Sequence, residues 1–69
     1  MTETYRGHRI TITRTRVWDA IIVEVETGMV LPTKATAMLH EGRLVAIARA
    51  HDLIDLYVGG APLEHWHAA

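Results

Sequence analysis

His65 and His67, two positions apart near the C-terminus, come closest to a metal-binding spacing. On an extended segment alternate side chains share a face, so both imidazoles would reach one ion. A zinc or copper site needs further ligands, and His8, His40, His51 and Glu64 are available to complete it. The spacing lacks the specificity of HExxH, and a tail with two solvated imidazoles explains it better, so no metal site is assigned. His51, followed by Asp52 and Asp55, has the composition of a general base with an orienting carboxylate. The chain contains neither serine nor cysteine, and no threonine stands in a nucleophile context. Glu24 and Glu26 alternate onto one side of a strand, where Arg9 of the neighbouring strand is a ready ion-pair partner. There is no glycine-rich phosphate loop. The expectation is a protein without catalytic residues or cofactor.

A second pattern is electrostatic. Residues 1–16 carry Arg6, Arg9, Arg14 and Arg16 against Glu3, whereas the remainder holds three basic and seven acidic side chains. With Tyr5 and Trp18 as stacking platforms, the four arginines form a candidate nucleic-acid surface. The net charge of −1 lacks the uncompensated basic excess usual in such binders. A basic first strand paired with an acidic second one accounts for the same pattern.

Positioning these side chains falls to a small number of elements. Sixty-nine residues, 49% of them apolar, suit one small folded domain. Without cysteine there is no disulfide to staple it, which fits a reducing compartment. The N-terminus has no apolar run of the kind a secretory leader or membrane span requires, so a cytoplasmic protein is expected.

Tyr5 to Thr13 reads as a strand, with Ile10 and Ile12 on one side and Arg9, Thr11 and Thr13 on the other. Trp18 to Glu26 reads as a second, joined to the first by Arg14-Thr15-Arg16. Pairing Ile10 with Ile21 places His8, Ile10 and Ile12 on one face with Asp19, Ile21 and Val23. A turn at Gly28 leads to a third strand, Val30 to about Met38, confined to a sheet edge by Pro32. Its inward set is either the one containing Val30 or Leu31, Ala35, Ala37 and Leu39; a helix starting at Thr33 is the rival reading. Glu41 to Val58 is an amphipathic helix. Leu44, Ile47, Ala50, Leu53 or Ile54, Tyr57 and Val58 form its stripe, with Arg49, Asp52 and Asp55 opposite. Gly59-Gly60 and Pro62 stop it.

The expected fold is therefore α+β: a three-stranded antiparallel sheet with one C-terminal helix on one face, β-β-β-α. Residues 1–58 make the domain and residues 59–69 a tail. One helix covers one side, and in this register the other side presents Trp18, Ala20 and Ile22. Such a patch calls for a cover, either a second copy in a homodimer or another protein. The expected partner-binding residues are Arg9, Trp18 and Ile22, with Glu24 and Glu26 as a charged rim. A free strand edge is a further docking element.

Ala46, Ala50, Ile54 and Tyr57 occupy the pattern A-x-x-x-A-x-x-x-I-x-x-Y. In that pattern, and in a strand hairpin preceding a helix, residues 5–58 resemble the N-terminal half of HicB-type antitoxins. The family's Pro-Asp-Leu-Pro-Gly-like segment, last strand and DNA-binding tail have no counterpart here. The resemblance implies a stoichiometric inhibitor of a macromolecular partner, a format shared with short phage anti-defence proteins. The alternative expectation is a small nucleic-acid-binding module using Arg6, Arg9, Arg14 and Arg16.

Overall fold

The computed structural model describes residues 2–59, so the His65/His67 pair and most of the tail lie outside the described residues. The order is β1 (Thr2–Tyr5), β2 (His8–Arg14), β3 (Val17–Glu24), β4 (Ala35–Met38), a 3-10 turn (Leu39–Glu41) and α1 (Arg43–Gly59). The four strands form one antiparallel sheet in the order β1-β2-β3-β4, with α1 across one face. The class is α+β as expected, but with four strands where three were expected.

The additional strand arises inside the segment read as a single first strand. Arg6 and Gly7 both take positive φ, 48° and 77°, as a two-residue type I′ hairpin demands. The chain reverses there, pairing Tyr5 with His8 and Thr2 with Thr11. Arginine at the first turn position disguises a hairpin that Asn-Gly would have announced.

The β2–β3 register differs from the expected one by a single residue: Ile10 faces Ile22, and Arg9 faces Val23. The cause is the link, which turns about Arg16 and is closed by the Thr15 amide donating to the Val17 carbonyl at 2.9 Å. An odd-membered turn in place of an even one moves every β3 side chain to the other face. Trp18, Ala20 and Ile22 consequently lie beneath the helix, and Asp19, Ile21 and Val23 lie on the open side.

β3 folds back at Val25–Gly28, where the Gly28 amide reaches the Glu24 carbonyl at 2.7 Å. Val30 bridges Val23 and the Leu31 amide donates to the Ile22 carbonyl, after which residues 32–34 leave the ladder before Ala35 resumes it opposite Ala20. Pro32, lacking an amide proton, occupies that interruption. Ala35 and Ala37 are buried and Leu31 packs on the core, but Leu39 is exposed, so the second inward set holds apart from its last member. The segment is strand and not helix, which removes the rival reading from Thr33.

Gly42 at φ 90° separates the 3-10 turn from α1, which therefore begins at Arg43 and not at Glu41. Ala46, Ile47, Ala50 and Ile54 close over Ile10, Ile12, Ala20, Ile22, Ala35 and Ala37. Three alanines in the sheet-facing layer and two in the helix let backbones approach closely, and three fully buried isoleucines fill the space between. Leu44, expected in the stripe, is 70% exposed. Arg49 and Asp55 do not face away from the sheet; they flank the stripe and reach β4 and the β1–β2 turn.

Candidate interaction surface

The open side of the sheet is built from Thr4 on β1, Arg9, Thr11 and Thr13 on β2, Val17, Asp19, Ile21 and Val23 on β3, and Thr36 and Met38 on β4. Ile21, Val30 and Met38 are exposed, and Val17 and Val23 are half-buried. Cross-strand pairing makes two apolar lobes, Val17 with Met38 and Ile21 with Val23 and Val30. Between them runs a polar bar, Asp19 with Lys34 at 3.4 Å. No other described element lies over this face.

Of the residues expected to bind a partner, Arg9 is on this side. Ile22 is 1% exposed in the core and Trp18 packs against it, so neither belongs to a free surface. Glu24 pairs with His8 on the helix side and caps its own turn, accepting the Thr27 hydroxyl at 2.6 Å. Glu26 stands exposed in that turn. The proposed ion pair of these carboxylates with Arg9 does not form, because the one-residue shift sends Glu24 and Arg9 to opposite faces. Sequence reasoning missed Ile21 and Val23 for the same reason. Ala20-Ile21-Ile22-Val23 is apolar in both phases, and alternation alone cannot choose between them.

The two sheet edges differ. Along β4 the Thr36 carbonyl accepts from Arg49 Nη1 at 3.0 Å, and the Met38 amide donates to Glu41 Oε1 at 2.8 Å. Arg49 and Glu41 are themselves paired at 2.8 Å, so a charged clamp from the helix side occupies main-chain groups another strand would need. On β1, Thr2 and Thr4 pair with β2 alone, and no described donor or acceptor meets their outer main-chain groups.

The four N-terminal arginines diverge. Arg6 Nη1 binds Asp55 at 2.8 Å, Arg14 lies over the Trp18 ring at 5.8 Å on the helix side, and Arg16 marks the hairpin apex. Arg9 alone of the four lies on the open face.

His51 does not work with the aspartates beside it. Its Nε2 meets Glu3 Oε2 at 2.5 Å, and its ring stacks on Tyr5 at 3.9 Å between centroids. The Tyr5 hydroxyl donates to Asp55 at 2.9 Å. These contacts join residues about 50 positions apart and latch β1 onto α1; nothing nucleophilic adjoins them. No group of three or more His, Asp or Glu among the described residues is placed to hold a metal.

Hydrogen bonds from Arg6 and then Tyr5 hold the Asp55 carboxyl below its ordinary value. Arg49 and the Met38 amide do the same for Glu41. A folded value below the unfolded one means the unfolded chain binds more protons in acid. Both contributions are thus complete above the usual carboxylate range, about pH 4, and fade as pH falls through the depressed folded values. The melting temperature should drop in that window, and Asp55→Asn should flatten the drop. An acid limb unchanged by this substitution would remove the latch from the account.

No helix among the described residues is long and apolar enough to cross a membrane. No family model, no curated protein and no solved structure matches this chain.

Proposed function

We propose that this is a non-catalytic interaction protein, an antitoxin-like or anti-defence-like inhibitor that acts stoichiometrically by covering a surface of another protein in the cytoplasm. The observation that carries the reading is the open sheet face, where Ile21, Val30 and Met38 remain exposed around the Asp19–Lys34 pair. Exposed apolar groups grouped on one face and crossed by a polar element are characteristic of binding surfaces. Ala46, Ala50 and Ile54 of the HicB-like pattern seat α1 on the sheet, as residues at that spacing do in any helix packed on a sheet, so the reading rests on the open face. In the free protein a second copy covers this face, making a homodimer.

Partner specificity comes from the polar bar. A partner that buries the lobes without satisfying Asp19, Lys34 and Arg9 leaves charges desolvated, which disfavours it. The unguarded β1 edge offers a secondary contact by strand addition. The nucleic-acid alternative draws less support, because three of its four arginines lie off the open face.

Affinity capture from the native host tests the proposal. The wild-type chain should retain a discrete partner in stoichiometric amount, and Ile21→Glu should release it while keeping its circular dichroism spectrum, with a melting point lowered only by loss of the dimer. Equal capture by both proteins, or binding to nucleic acid that falls steeply with salt, would defeat it.

A further inference from the structure

On the helix side of the sheet, away from the proposed contact face, a cavity of about 290 Å³ opens between the end of α1 and the segment after β3. Val30, Leu31, Pro32 and Tyr57 supply apolar walls, and His8 and Glu24 supply the polar groups. Tyr57 follows Ile54 by three residues and so shares its side of the helix, yet it is 45% exposed because α1 there overhangs the cavity and not a strand.

His8 is only 5% exposed. Its Nδ1 lies 2.9 Å from the Arg6 carbonyl, an acceptor only, so Nδ1 carries the proton. The other ring nitrogen, Nε2, makes no hydrogen bond among the described residues and is not sealed in the core, so it opens to the cavity. Glu24, paired with His8 across the ladder, adds a carboxylate with one oxygen engaged by Thr27. The C-terminal end of α1 contributes the negative pole of its dipole, and no basic residue stands in its last turn. The nearby Arg6 guanidinium is committed to Asp55. Glu24 and the α1 terminus thus place negative potential on an apolar cleft, where an anion would be repelled and a purely apolar guest would take Nε2 out of water without a partner.

We propose that this cavity binds a small organic cation, a primary ammonium group on a short apolar body. The ammonium donates to His8 Nε2 and Glu24, and the body rests on Leu31, Pro32 and Tyr57. The cavity opens on the other side of the sheet from the proposed contact face, with Val30 at the margin of both.

The test is an NMR titration of the full chain with n-butylammonium, n-butanol and butyrate at matched ionic strength. Butylammonium should shift the His8, Leu31 and Tyr57 signals saturably. Butanol and butyrate should bind at least about tenfold more weakly, the difference one charge-assisted hydrogen bond supplies. Glu24→Gln keeps the acceptor for Thr27, so the fold survives; it should cut butylammonium affinity about tenfold and leave butanol unchanged. Equal responses to butanol and butylammonium, indifference to Glu24→Gln, or no saturable shift around the cavity would each overturn the assignment.

Discussion

Ile22→Ala should destabilise the protein by about 2–5 kcal/mol, whereas Ile21→Ala, one residue away, should cost less than about 1 kcal/mol. Ile22 is 1% exposed and sits in the layer beneath α1, so truncation leaves a cavity. Ile21 is 38% exposed on the other face, so its truncation mostly returns surface to water. A domain of this size holds roughly 3–10 kcal/mol in total. Ile22→Ala therefore removes a large share of it, and a urea titration should show loss of the cooperative transition or a midpoint much below wild type. If Ile21→Ala were the damaging substitution, the strand register described here would be wrong.

Trp18→Ala should be nearly as damaging, at about 2–4 kcal/mol, because the indole is half-buried against the core beside Ala37. Trp18→Phe separates packing from hydrogen bonding. The indole Nε1 is buried without a partner among the described residues, an arrangement that costs about 1–3 kcal/mol. Phenylalanine removes that orphaned donor while keeping most of the ring, so Trp18→Phe should melt within a few degrees of wild type. Damage from Trp18→Phe as large as from Trp18→Ala would contradict a net cost from the orphaned donor. Trp18 is a core residue in this account, and a Trp18→Ala protein that lost partner capture would have lost its fold first.

The helix and the strand-rich segment before it were legible because each carries a periodic signal. Alanines and isoleucines at three- and four-residue spacing can be seated on a sheet in few ways, and Pro32 confined its segment to the edge. What the sequence left open was phase. The Arg14–Val17 link contains no glycine or asparagine to specify its length, and β3 is apolar on both faces between Ala20 and Val23. One residue in that link decided which isoleucine was core and which was surface. The expected uncovered face of Trp18, Ala20 and Ile22 is overturned, since all three lie beneath the helix; the open side is a different set, with Ile21 and Val23 beside Arg9 and Asp19.

The latch on β1 had no local signature either. Glu3 meets His51 and Tyr5 meets Asp55 only after the Arg6-Gly7 turn brings the N-terminal strand beside the helix. A reading that merged β1 with β2 had no means of placing these residues together. His8 alternated onto the core face as expected, but its role depends on the overhang of α1 and on the carbonyl fixing its proton. Neither is visible in spacing.

Methyl NMR of the captured complex, with a soluble paramagnetic agent to bleach solvent-exposed signals, addresses the open face most directly. Ile21, Val23 and Met38 should be shielded in the complex, while Leu44 and Leu56 on the outer side of α1 are bleached. The reverse pattern, with the helix methyls protected and the sheet methyls still open to the agent, would contradict the placement of the contact surface on β2–β4.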